Sequence, residues 1–340
     1  MDLGAGELYF VREIDPKTKK YTTFVKIGLV HEKEGRDSLK RLSEHQTGNP
    51  RTLHLPQENY FLSPAINRVE AMMHKVFARN RVSGEWFEFQ SEKQVVAAIK
   101  KAQQLSTEVA SQIPTFTKAA KLGQSPDNGK VIPSSPNTES LIERIAVARA
   151  KKKNLSEISE VVSTKLKIAL DKGLNVEGAA EEVRVNRKGK FNLETLKSED
   201  PKTYKKYLVK TQALSGRLLV TKIQVGLEDL DEDFQTLIRQ LSLKAHKAKN
   251  NDYRILNEVQ LELTNEIAVA EWDEEFALAE LKLACGKNRS IKGVCTWKRE
   301  LVEKIEFDEK TFKFKNPAKY ELYQEEPTTS VYVKVSRKKI

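Results

Sequence analysis

The sequence predicts an α+β protein in two unlike parts, a small sheet-and-helix domain followed by a helical region that contains one α+β unit twice. Three observations carry this. Strand and helix signals alternate over residues 6–89, the stretches 228–248 and 252–283 are strongly helical, and residues 166–178 align without a gap with 281–293. A chain of 340 residues has room for two or three compact units.

The first strand is GELYFVREI, residues 6–14, with Tyr9 among apolar neighbours; the second, TTFVKIGLV, covers 22–30 and is expected to turn at Lys26-Ile27-Gly28, giving a hairpin. Next comes GRDSLKRLSEHQTGNPR, a helix with Asp37 or Ser38 as cap and Gly48 as stop. On it Arg41 and His45 are one turn apart, so a cation and an imidazole can meet one phosphate. A second helix is expected to open at Ser63-Pro64 and run through INRVEAMMHKVFARN. Its apolar face is Ile66, Val69, Met73, Val76 and Phe77. Glu70 lies at the edge of that face, where a carboxylate needs a metal, a cation or water, and His74 shares its flank. Trp86 and Phe87 of GEWF read as core and Glu85 as a loop-holding residue; Val95, Val96, Ile99 and Leu105 predict a helix over 91–112 that closes a domain of residues 1–110.

Residues 111–138, rich in Ser, Pro, Gly, Asn and Lys, read as a linker. Two modules follow, 139–225 and 226–340. FNLETLKSEDPKTYKKY from Phe191 matches FDEKTFKFKNPAKYELY from Phe307, and each copy ends in a β-like run. Each reads as a long helix, an extended hairpin-like section, a short helix opened by Pro201 or Pro317, and a final strand. Apolar positions Leu237, Leu241, Ile255, Val259, Leu263 and Ile267 suit core packing between modules, with a homo-oligomer contact as the alternative.

Composition narrows the function. The net charge of +11 favours phosphate backbones, so nucleic acid is the expected partner. No apolar run is long enough for a membrane span and no secretory signal opens the chain, which gives a cytoplasmic expectation. Cys285 and Cys295 form no CxxC pair and are expected to be reduced thiols.

The ordered motifs LYFV, VKIG, RLSEHQTGNPR, VEAMMHKVF and GEWFEF, over roughly 85 residues, are similar to GIY-YIG nuclease domains of the branch found in phage and bacterial proteins. Several of that branch are defence or homing-type nucleases. The resemblance implies a domain with an antiparallel sheet and flanking helices, and a metal-dependent endonuclease that cuts DNA. Tyr9 matches the tyrosine of the first motif, Gly28 the glycine of the second, Arg41 the helix arginine, His45 the residue one turn later, and Glu70 the metal-binding glutamate, for Mg²⁺ or Mn²⁺. Arg41 would neutralise phosphate charge and Tyr9 would position or deprotonate the attacking water.

Two departures stand out: Glu7-Leu8-Tyr9 replaces Gly-Ile-Tyr, and Lys26 replaces the second tyrosine. Lys26 is open to three roles, depressing the Tyr9 pKa, touching phosphate, or serving as a surface residue. A protein that binds DNA without cutting it is the rival reading. RNA stays open, because chemistry at phosphate does not distinguish sugars.

Basic and aromatic residues mix in the modules, so Lys205, Lys206, Trp297, Lys298 and Arg299, with His74 of the first domain, are candidate DNA contacts. TWKRE followed by FDEKTFKFKNPAKYELY resembles the tail of YqaJ-type phage recombination exonucleases and brings no catalytic residue with it. The modules are therefore expected to target, assemble or autoinhibit, in phage defence, phage-encoded restriction or mobile-element maintenance.

Overall fold

Alternation of apolar and polar residues makes a hairpin of β1 (Gly6–Ile14) and β2 (Tyr21–His31), paired antiparallel with Tyr9 opposite Gly28 and Val11 opposite Lys26. The computed structural model describes residues 4–47, 49–176 and 178–336. Four short strands, β3 (Thr52–His54), β4 (Tyr60–Ser63), β5 (Arg81–Ser83) and β6 (Trp86–Glu88), complete a sheet of order β3-β1-β2-β6-β5, with β4 also on β1. The two faces pack differently. Leu8, Phe10, Val25, Ile27 and Phe87 join Val69 and Met73 of α2 (Ile66–Val76) and Val95 and Ile99 of α3 (Glu92–Gly123). Each such side chain contributes about 1.5–3 kcal/mol on full burial. Tyr9, Val11 and Val30 form the other face, against Leu42 of α1 (Ser38–Gln46).

Several boundaries differ from expectation. β2 does not turn at Gly28 but continues to His31. α2 begins at Ile66, after Ser63 has ended β4, so Ser63 caps no helix; its hydroxyl instead accepts from Ala65 N–H and from Ser106. Val76 and Val96 face solvent. Gly48 lies outside the described residues.

The expected linker is largely ordered. α3 passes through Pro114 because Ile113 and Phe116 pack into the domain core and Ala119 is buried, packing that outweighs the hydrogen bond lost at proline. Beyond it, Asp127 accepts from the backbone N–H groups of Gly129 and Arg299, and β7 (Val131–Ile132) pairs parallel with β10 (Ser290–Ile291). α4 (Pro136–Asp171) then starts inside the supposed linker, with Ser135 and Thr138 closing a capping box.

In the second part, α4 lies antiparallel to α8 (Tyr253–Cys285): Arg144 pairs with Glu280, Arg149 with Glu274, and Ser159 with Gln260. α7 (Glu232–Lys247) seals this pair through Phe234, Ile238 and Leu241, with Val259 and Leu263 buried beside them, which is the core packing expected of the helical stretches; Ile255 is largely exposed. The first repeat continues with β8 (Ala180–Arg187), α5 (Leu193–Glu199), α6 (Pro201–Lys206) and β9 (Leu208–Val220). The second has β11 (Cys295–Phe307), α9 (Glu309–Lys315), α10 (Pro317–Leu322) and β12 (Thr328–Val335). Pro201 and Pro317 do open their helices.

The strands of one copy do not form a hairpin with each other. β8 pairs with β12 and β9 with β11, so the first strand of each copy pairs with the last strand of the other. Two ribbons thus leave opposite ends of the α4–α8 pair. They meet at a tip where Phe191, Leu196, Tyr207, Phe307, Phe312 and Tyr320 interlock, Phe191 stacking on Tyr320 at 4.6 Å. A fused two-copy unit is the result. Cys285 and Cys295 are free and buried, and among the described residues no helix is long and apolar enough to cross a membrane.

Candidate active site

The site begins with the absence of a side chain. A Cβ on Gly28 would lie 2.5 Å from the Tyr9 hydroxyl, so glycine is what lets the Tyr9 ring lie over β2. α1 is then fixed above that ring: Asp37 caps it through Lys40 N–H, and Glu7 accepts from Ser38 N–H at 2.8 Å. One strand therefore orients Tyr9 with one face and holds the helix carrying Arg41 and His45 with a neighbouring carboxylate.

His45 Nε2 stands 3.1 Å from the Tyr9 hydroxyl, and Arg41 hydrogen-bonds the same oxygen. Arg41 can only donate, so all three groups are satisfied when the phenol donates to His45 and the imidazole carries its proton on Nδ1. Arg41 is also paired with Glu44 at 2.5 Å. Burial, reinforced by Glu85 and Glu70 and opposed by Arg41, pushes the Tyr9 phenol up to about 12. Burial, with Lys26 and Arg41 nearby, pushes His45 down to about 4. At neutral pH the pair is a neutral phenol beside a neutral imidazole.

Lys26 is buried, which removes its surface-residue role, and its ammonium meets Glu85 at 2.6 Å. Arg41 is the cation that lowers the Tyr9 phenol against the effect of burial. Glu85 was read from sequence as a loop residue. It belongs to the site, because the pairing of β6 with β2 sets Trp86 opposite Lys26 and Glu85 O accepts from Ile27 N–H. Arg81 was missed entirely. Burial lowers its pKa while Glu85 and Glu70 raise it, which locates it beside both carboxylates.

Glu70 comes from α2, half-buried, and its charge reaches both Tyr9 and Arg81. Among the described residues no three His, Cys, Asp or Glu side chains cluster. Burial does most to hold the Tyr9 phenol protonated, and the negative charge of Glu85 and Glu70 adds to it. Glu70, with Glu85 acting on the same groups, supplies the carboxylate oxygens that would hold a divalent cation here.

His74 is not a DNA contact: it is buried against Phe87, ring centroids 5.2 Å apart, and burial, aided by Arg81, pushes it down to about 4. Trp297 and Arg299 are also buried. Arg299 donates to the carbonyls of Leu122 and Gly286 and lies 3.8 Å over the Trp297 ring, bracing the root of a ribbon. Their aromatic-basic sequence reads like a binding surface because pattern alone does not separate a satisfied buried arginine from an exposed one. Lys298 is exposed and paired with Glu300, while Lys205 and Lys206 are exposed on α6 at the tip.

Comparison with known proteins bears on the N-terminal part of the chain. No curated protein and no solved structure matches the chain. Residues 8–103, which carry all of Tyr9, Lys26, Arg41, His45, Glu70, Arg81 and Glu85, match the family model of the T5orf172 domain, a GIY-YIG-like domain family associated with phage endonucleases.

Proposed function

We propose that the chain is a divalent-metal-dependent nuclease that hydrolyses phosphodiester bonds in DNA, with the duplicated part holding or selecting the substrate. The observation that carries this reading is the convergence of Tyr9, His45, Arg41, Glu70 and Glu85, drawn from one strand, two helices and a turn, on one phenolic oxygen. The divalent ion on Glu70 would polarise the scissile phosphate and supply an acidified water. Arg41, half-exposed and already near the phenol, meets the phosphate. His45, neutral well below pH 7, accepts the Tyr9 proton and fixes the direction of the hydroxyl, so that Tyr9 orients the attacking water with its lone pairs. Lys26 holds Glu85 and leaves Arg41 as the accessible cation.

Glu70→Ala is expected to lower plasmid nicking in Mg²⁺ or Mn²⁺ by at least about a hundredfold while leaving the melting temperature unchanged within a few degrees. Nicking at the wild-type rate by that variant would sink the proposal. One observation favours a second reading. Burial, reinforced by Glu85, keeps the phenol protonated, as it would be in a catalytically weakened DNA-binding or assembly protein. Gel-shift binding with no cleavage across Mg²⁺, Mn²⁺ and both duplex and RNA substrates would select that alternative. Phage defence or maintenance of a mobile element is the setting we propose for either activity, and the motif resemblance supports it.

A further inference from the structure

The repeat provides a comparison within one chain. α5 and α9 turn Leu196 and Phe312 inward, and α6 and α10 turn Tyr204 and Tyr320 toward the same tip core. Two residues beyond each inward position, about 200° round the helix, comes an outward one. In the first copy the outward residues are Ser198 and Lys206, both polar. In the second they are Phe314 and Leu322, which are 86% and 80% exposed, more than any other large hydrophobic residue described. One turn before them, exposed Glu194 of the first copy becomes exposed Lys310 in the second. The fold is met equally well by both sets, so the phenyl ring is not there for the tip core.

Charge shows what would cover it. Lys313 and Lys315 flank Phe314 and Lys310 shares its face, and among the described residues none of the three is in an ion pair; Lys313 leans over the Tyr320 ring at 4.6 Å. Some other lysines of the tip and ribbons are paired, Lys319 with Asp200, Lys334 with Glu181, Lys210 with Glu303 and Lys298 with Glu300, whereas Lys205 and Lys206 of α6 are exposed but have no aromatic ring standing out between them and solvent as Phe314 does. A solvent-exposed aromatic ring among three unpaired ammonium groups is complementary to a polyanion whose bases present a free π-face.

We infer that the outer face of α9 and α10 binds unpaired nucleotides, Phe314 stacking on a base while Lys310, Lys313 and Lys315 meet the adjacent phosphates. A duplex keeps its base faces covered, so the ligand is single-stranded DNA or an unpaired stretch within duplex. This inference rests on the nucleic-acid reading of the protein and names the part of the duplicated region that touches the strand. Polar Ser198 makes the equivalent face of the first copy no stacking platform, so one end of a pseudo-symmetric unit is specialised.

The test is fluorescence anisotropy of the full chain in EDTA, which separates binding from cutting, with a labelled oligothymidylate, the same length of duplex, and an oligouridylate. Phe314→Ser, which installs the residue of the first copy, is expected to weaken oligothymidylate binding about tenfold and duplex binding less than twofold. Lys313→Ala/Lys315→Ala is expected to reduce the slope of log K against log salt by about 1.4 on the single strand. An equal change on duplex and single strand, or none on either, overturns the inference. So does oligouridylate affected while oligothymidylate is not, or a concentration-dependent dimer abolished by Phe314→Ser, which would make the patch a self-contact. Plasmid nicking without oligothymidylate binding overturns the tip contact and leaves the nuclease proposal standing; binding without nicking does the reverse.

Discussion

Gly28 and Tyr9 depend on each other across one pair of strand residues, and that dependence is testable. Gly28→Ala puts a methyl carbon 2.5 Å from the Tyr9 hydroxyl in a face where Tyr9 is only 2% exposed, so the ring has to move. Overpacking of this kind costs about 1–3 kcal/mol, and misplacing the hydroxyl by about 1 Å lowers rate on the order of a hundredfold. Nicking by Gly28→Ala at more than half the wild-type rate would show that the ring position does not matter. His74 makes a second residue-scale prediction. Its folded pKa of about 4 lies below the ordinary value of 6.5, so between those limits the unfolded chain binds a proton that the folded chain does not. Stability therefore falls as pH drops from about 6.5 to 4, by up to about 3 kcal/mol from this buried group. Urea melts of wild type and His74→Gln should diverge at pH 7 and converge near pH 4; parallel curves would count against a neutral buried His74. Tyr9, Arg41, His45 and Glu70 were legible in sequence because each sits in an ordered motif. Glu85 and Arg81 were not, since strand register, a non-local property, brings them to Lys26 and Glu70.

Elements were legible where periodicity is strong and their partners were not. The hairpin of β1 and β2, the capped α1, and the long α4, α7 and α8 follow from local pattern and caps. Pro114 misled because a proline among Ser, Gly and Lys suggests a linker, while Phe116 and Ile113 pack into the core from the same helix and keep it going. The repeat was visible, as were its first-turn prolines, yet nothing local says whether β8 pairs with β9 or with β12. Pairing between copies was decided by the tip, where Phe191 of one copy stacks on Tyr320 of the other and Asn316 donates to the Tyr207 hydroxyl. Single ribbons with both faces largely in solvent are marginal alone, so the tip and the helix pair have to anchor each at both ends.

At the scale of the molecule the N-terminal domain is completed by the duplicated part. Trp272 of α8 is 7% exposed inside the N-terminal core cluster, its indole N–H donating to Gln112 at 2.6 Å and its ring set edge-on to Phe116 at 5.1 Å. Arg68 donates to Ala268 O at 3.1 Å and Lys75 pairs with Glu266 at 2.8 Å on the same side of α8. Removing the indole leaves a cavity worth about 3–5 kcal/mol at the seam, more than the exposed ion pairs around it can restore. Trp272→Ala should therefore split one calorimetric transition into two, the earlier one carrying the loss of nicking, whereas Trp272→Phe keeps much of the ring and should move the midpoint by less. Residues 1–110 alone lack Trp272, Phe116 and Ala119, and should unfold at a lower temperature than the domain does within the chain. A single transition at an unchanged midpoint for Trp272→Ala would mean that the two parts fold independently and that the helix merely lies beside the N-terminal domain.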